Sequence, residues 1–281
     1  VMLISNEHNR CFFMLSVQQQ QKWIKDGRGD GELSSYKPWL TVRDLSSLGR
    51  SHRVYGHKTK RTHHLLSDLE LAIFLILEWN PLIQDIREQF PLRIEQTEEI
   101  AHLTCIPHPA VRGIKQIMST DFYVFSSDAM NPRFSIQAKY QKDLEDIRTI
   151  EKLEIERRYW QSKEIPWQII TEQEIPKVVF DNIKWLYPAI RDNDHINLYD
   201  QIEFYVKQFH KYPNLSLINL AKKIDSSYDL EIGTSLSELR VLFAQRYFKF
   251  DLKLNYKDLV PPNIQLGNLT TWEEVRYAAN Q

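Results

Sequence analysis

The chain has 281 residues, 42% of them hydrophobic and 26% charged, at a net charge of −1. That length suits one large or two ordinary domains with ample core, and the composition excludes disorder over most of the chain. Near-neutral charge excludes a generally polybasic protein, so any nucleic-acid surface must be local and offset elsewhere.

Cys11 and Cys105 form neither a disulfide framework nor a zinc-ligand spacing, so a reducing cytoplasm is expected. The longest apolar run, Leu71–Leu77, is too short to cross a bilayer. The opening VMLISNEHNRCFFML lacks the basic start and long apolar stretch of a signal peptide; Val1, Met2 and Met14 all stand as starts.

In chain order, Val17–Asp26 is predicted as a short amphipathic helix stopped by Gly27, Gly29 and Gly31. Those glycines lack a following Gly-Lys-Ser/Thr, so they make no phosphate-binding loop. Arg50–His64 carries Arg50, Arg53, Lys58, Lys60 and Arg61 with four histidines and no acidic residue. It is the best candidate for a phosphate-backbone contact, with a solvated loop or strand as the alternative. Ser67–Trp79 reads as a helix ended by Pro81, in which Ser67 and Glu70 have capping-box spacing. Leu82–Leu92 reads as a strand, Glu95–Pro109 as a polar connection containing loop histidines His102 and His108, and Ala110–Met118 as a lead into a hairpin.

That hairpin, Ser119–Lys139, has two strand-forming runs around a turn cluster at Ser126–Arg133. Alternation puts Asp121, Tyr123 and Phe125 on one face, and Gln137 and Lys139 share a face in the second run. Symmetry about Met130 would set Asp121 opposite Lys139, with Gln137 beside them. A charged helix follows from about Asp143 to Lys163, with Leu144, Ile147, Ile150, Leu153 and Ile155 as its core stripe. Ile165–Thr171 reads as a short buried strand reached by a crossover. This order is that of a compact α/β domain over residues 1–171, with 1–16 as an extension. From about Glu172 helices are predicted at Val178–Tyr187, Leu198–His210, Leu215–Ile224 and Leu236–Gln245, the last with a Ser235/Glu238 capping box. A strand at Tyr247–Leu252 and a helix at Trp272–Ala279 complete a smaller, mostly helical, winged-helix-like domain over 172–281.

Asp121, Gln137 and Lys139 on one patch, with Glu70 from a separate helix, offer the groups that metal-assisted phosphodiester cleavage needs. Mg²⁺ takes hard oxygen ligands, activates water and neutralises charge at phosphorus. Glu70 and Asp121 could hold it with the Gln137 side-chain oxygen and the Ala138 carbonyl, while Lys139 orients or deprotonates water or stabilises the transition state. Local spacing leaves plainer alternatives open: an Asp121–Lys139 surface ion pair, and a Glu70 that only caps its helix.

Longer segments add a resemblance. HHLLSDLELAIFLILEWNPLIQDIREQFPL, HPAVRGIKQIMSTDF and TIEKLEIERRYWQSKEIPW are similar to the TnsA family, endonuclease subunits of heteromeric bacterial cut-and-paste transposases. GRGDG…YKPWLTV, SSLGRSHRVYGHKT and YDLEIGTSLSELR fit it too, whereas residues 1–16 do not match. The resemblance implies a restriction-endonuclease-like mixed sheet flanked by helices, with Glu70, Asp121, Gln137 and Lys139 as the catalytic set. It places Glu156 near enough to order a metal-bound water. The expected cofactor is Mg²⁺, as two ions, with Mn²⁺ able to replace it. The implied partners are double-stranded DNA at transposon ends, an integrase-like recombinase (TnsB) that cuts and joins the 3′ ends, and an ATP-dependent regulator (TnsC) docking on the C-terminal domain. TnsA-like subunits nick the 5′ ends. An autonomous restriction or junction-resolving nuclease, and a non-catalytic assembly protein bridging recombinase and regulator, are the competing functions.

Overall fold

The computed structural model describes residues 15–44, 50–190 and 198–267. The helix expected at Trp272–Ala279 lies outside them, as does most of the 1–16 extension. The chain divides into two compact units between Ile175 and Pro176.

In the first unit the elements are α1 (Val17–Lys25), β1 (His52–Gly56), β2 (Arg61–Leu65), α2 (Asp68–Trp79), β3 (Ile83–Pro91), α3 (Ile94–Leu103), the short β4 (Ala110–Val111) and β5 (Ile114–Lys115), β6 (Ser119–Ser126), β7 (Arg133–Ala138), α4 (Ile147–Gln161) and β8 (Trp167–Ile170). The central sheet has the order β3-β6-β7-β8, antiparallel except for the parallel β7–β8 pair, which α4 connects. It is a mixed sheet flanked by helices. α2 packs on β3 and β7, while α4 packs on β8 and α3. The sheet's centre is apolar and closed to water at Ile86, Phe122, Val124 and Ile136. A second cluster joins Leu92 and Tyr123 to Tyr159 and Trp160 of α4.

The β6–β7 register pairs Phe122 with Ile136 and Val124 with Phe134. The hairpin is therefore centred on Ala129, not Met130, which brings Asp121 beside Gln137 and leaves Lys139 two residues beyond. Facing does not alternate strictly along β6, because Thr120 and Tyr123 both reach Trp160 of α4. Lys139 falls just past β7, where its N–H still donates to the Ile170 carbonyl of β8 (3.1 Å).

Several other expectations change. The polar connection at Glu95–Pro109 contains α3, which buries Thr97 and Ala101 one turn apart on an otherwise hydrophilic helix. His102 belongs to its last turn, and His108 meets the Thr97 hydroxyl (2.9 Å). The long helix starts only at Ile147, capped by the Asp146 side chain. Ile147 and Ile150 are exposed, and the buried stripe is Leu153, Ile155, Glu156, Tyr159 and Trp160. A count of apolar residues skips Glu156 and so misplaces the stripe. β8 is half-exposed, because it ends the sheet.

The basic segment forms the β1–β2 hairpin, and its cations divide by burial. Arg50, Arg53 and Lys60 are exposed, whereas Arg61 and His63 turn inward and are buried. Arg61 Nη1 donates to Glu88 Oε1 of β3 (2.7 Å), and its Nη2 donates to Glu88 Oε2 and the Ile86 carbonyl. His63 Nδ1 lies 2.8 Å from Glu88 Oε2. Arg61 is therefore committed to the fold and is not available to a phosphate.

The second unit contains α5 (Lys177–Leu186), α6 (Leu198–Lys211), α7 (Leu217–Ser227), α8 (Thr234–Ala244) and a small antiparallel pair, β9 (Phe248–Lys249) with β10 (Gln265–Leu266). It is mostly helical around Ile183, Ile202, Tyr205, Leu220, Leu239 and Phe243. The strand expected over Tyr247–Leu252 shrinks to two residues. The α8 cap is Gly233, not Ser235: Asp225 accepts the Gly233 and Ser235 N–H groups, and Glu238 accepts the Tyr205 hydroxyl instead of closing a capping box.

Candidate active site

Glu70, Asp121 and Gln137 are each held by a backbone N–H of another residue. Ser67 caps α2 by accepting the Glu70 N–H (3.1 Å), as the capping-box spacing requires. The Glu70 carboxylate then folds back, with Oε2 accepting the Leu66 N–H (2.9 Å) and Oε1 the Ser67 hydroxyl (3.1 Å). Capping does not consume the carboxylate, since an ionised carboxyl has about four acceptor positions. Glu70 is 1% exposed and aims toward β3 and β6.

Asp121, on β6, is fully buried. Its Oδ2 accepts the Ala138 N–H of β7 (2.9 Å), and its own N–H donates to Gln137 Oε1 (3.0 Å). The adjacent strands thus lock Asp121 and Gln137 together from both sides. Lys139, half-buried, follows at the strand's end.

Gln89 joins the two carboxylates, and nothing in the sequence singles it out. Its Nε2 donates to Glu70 Oε2 (3.3 Å) and to Asp121 Oδ1 (3.1 Å). Its Oε1 accepts the Ser119 hydroxyl (3.1 Å), and the whole side chain is closed to water. Gln89 has a backbone φ of +48°, which costs a non-glycine residue roughly 1–2 kcal/mol. An ideal pleat would put Glu88 and Phe90 on one face. Instead Glu88 meets β2, while Phe90 packs on Tyr123 and Trp160, so the strand switches faces at Gln89.

Glu156, on α4, is a third buried carboxyl near the site. Its Oε1 accepts the Thr120 hydroxyl (2.8 Å) and the Trp167 indole N–H (2.9 Å). Burial pushes this carboxyl up to about 7; the bonds from Trp167 and Thr120 oppose the rise, the Asp121 charge adds to it, and the Lys139 charge opposes it.

The donor set decides which metal could fit. Among the described residues no three His, Cys, Asp or Glu side chains gather at metal-ligand spacing. What converges is two carboxylates and the Gln137 amide oxygen. All of these are hard oxygens, suited to Mg²⁺ or Mn²⁺ and not to a thiolate-seeking metal. The chemistry of this donor set therefore fits a hard divalent ion.

Comparison with known proteins gives concordant results. Residues 80–172 match the family described as TnsA-like endonuclease N terminal, and residues 174–252 match TnsA endonuclease C terminal. Asp121, Gln137 and Lys139 lie inside the first match, and Glu70 lies ahead of it. The chain is 47% identical over 265 residues to the Transposon Tn7 transposition protein TnsA of Escherichia coli, covering 94% of this chain and 97% of that protein. Among the described residues no helix is long and apolar enough to cross a membrane.

Proposed function

The chain belongs to the TnsA family and is a DNA endonuclease of a transposase, and from that premise we propose that it hydrolyses a phosphodiester bond at each transposon 5′ end with Mg²⁺ as cofactor. The observation that carries the reading is the meeting of Glu70 and Asp121, from a helix and a strand, on a single amide group away from water.

Glu70 and Asp121 would hold the cation, with the Gln137 side-chain oxygen and the Ala138 carbonyl completing the protein's share. When bound, Mg²⁺ supplies charge neutralisation at the phosphate and a more acidic water. Lys139 supplies a proton-handling or charge-stabilising ammonium next to that cluster. The water oxygen bonds to phosphorus, the phosphorus bond to the leaving sugar oxygen breaks, and the water's proton leaves to a base. Gln137 in place of a third carboxylate keeps the site's charge low, so affinity for the cation rises when the substrate phosphate joins. Mn²⁺, with the same ligand preferences, replaces Mg²⁺ in this scheme.

The same proposal includes the partners. An integrase-like recombinase, TnsB, processes the 3′ ends, and the ATP-dependent regulator TnsC docks on the Pro176–Gln281 unit, all in the bacterial cytoplasm. The test combines the protein with transposon-end DNA, Mg²⁺ and the recombinase, comparing wild type with Asp121→Ala. Nicks at the 5′ ends that vanish in the variant are the expected result. Cleavage without any recombinase would point to an autonomous nuclease, and equal products from both proteins would sink the catalytic role.

A further inference from the structure

Gln89 combines four properties that a core glutamine does not need together. It is fully buried, it sits at φ +48° inside a strand, both hydrogens of its amide go to carboxylates, and those carboxylates come from different elements. Strain of this kind persists only where the surroundings over-determine it; here the Trp39 N–H, donating to the Gln89 carbonyl (3.1 Å), and the Ser119 hydroxyl hold the residue in place.

The amide hydrogens occupy Glu70 Oε2 and Asp121 Oδ1, two oxygens that would take up a divalent cation. Glu70 Oε2 also accepts the Leu66 N–H, so the Gln89 hydrogen takes its remaining acceptor position and a cation there has to displace it. A glutamine amide has two ends of nearly equal shape, one donating and one accepting, so a half-turn of its last torsion exchanges them without new space. The far end is already prepared for that exchange. Ser119 donates to Gln89 Oε1 now, and its hydroxyl can equally accept from Nε2 after the turn.

We propose that Gln89 is a further metal-site residue that works in two orientations: its NH₂ holds Glu70 and Asp121 together in the cation-free protein, and its Oε1 becomes a ligand when a hard divalent cation is bound. The proposal rests on the reading of Glu70 and Asp121 as cation ligands. It explains why an uncharged amide, and not a lysine or arginine, sits between them. A fixed cation would compete permanently with the metal, whereas an amide can give way and then contribute an oxygen.

The experiment titrates the full chain with Mn²⁺ alone, without DNA, by calorimetry, and records thermal unfolding in a chelator. Gln89→Leu keeps volume but can neither donate nor accept. It should lose roughly ten-fold in Mn²⁺ affinity, by analogy with losses on removing groups that support metal ligands, and should unfold at lower temperature in the chelator. Gln89→Glu should bind Mn²⁺ roughly ten-fold more tightly, because a charged oxygen replaces a neutral one, and should be less stable than wild type without metal. Mn²⁺ binding by Gln89→Leu as tight as wild type, alongside lost binding in Asp121→Ala, would overturn the role of Gln89 and leave the carboxylate site intact. Undiminished binding in Asp121→Ala would instead remove the site on which the proposal rests. Should Gln89→Leu fail to fold, Gln89→Glu decides alone, and affinity equal to or below wild type would overturn the proposal.

Discussion

Arg61 reaches out of β2 and grips both carboxylate oxygens of Glu88, a residue on a different strand, in a spot closed to solvent. Burial alone would push the Glu88 carboxyl up, but His63 and Arg61 outweigh that effect and hold it well below the usual carboxylate range. The pair ties the basic hairpin to the central sheet one residue before Gln89.

Breaking that pair should therefore unfold the protein more readily, not loosen its hold on DNA. Arg61→Met leaves a buried carboxylate short of a two-pronged partner and should cost about 3–5 kcal/mol in denaturant unfolding. Arg61→Met with Glu88→Gln should cost clearly less, because the neutral amide leaves no orphaned carboxylate and still offers His63 and the His64 N–H a partner. A single variant within about 1 kcal/mol of wild type would show that the pair does not hold the hairpin.

The exposed cations of the hairpin are the ones expected to meet a phosphate backbone. Arg53→Ala with Lys60→Ala should lower the slope of log binding constant against log salt by about 2, while leaving thermal stability within a degree or so. If the slope stays where it was, this face of the hairpin is not on the DNA.

Glu156 gives a pH dependence with a definite sign. Its folded value of about 7 lies above the ordinary carboxylate value of 4.5, so the folded protein holds this proton more firmly than the unfolded chain. The resulting stability is complete below the ordinary value and is lost as pH rises through the folded one. Glu156→Gln keeps an oxygen acceptor for Thr120 and Trp167 but cannot titrate. From about pH 5 to about pH 8, wild type should lose roughly 1–3 kcal/mol relative to this variant. Stability curves that stay parallel across that range would mean that the carboxyl does not titrate there.

Local pattern is enough for the start of the helix that carries Glu70. The Ser67/Glu70 spacing specifies a helix start by itself, because the cap bond spans only three residues. Alternation in Ser119–Lys139 sets Asp121 on one face with Tyr123 and Phe125, but Thr120 and Tyr123 both reach Trp160 of α4, so strict alternation fails along β6 where it carries Asp121. The resemblance to TnsA rests on whole segments spread along nearly all the chain, and the comparison covers 94% of it. Polar α3 was missed because its burial depends on two small residues and not on an apolar stripe.

Sequence by itself determined which residue types stand at Glu70, Asp121, Gln137 and Lys139, and that a capped helix would carry the first of them. Tertiary structure alone decided that Arg61 points inward, because its partner lies on a strand 27 residues away along the chain. It alone brought Gln89 between the carboxylates. Pleat periodicity assumes an extended backbone at every position, and the left-handed φ at Gln89 breaks that assumption where β3 passes the site.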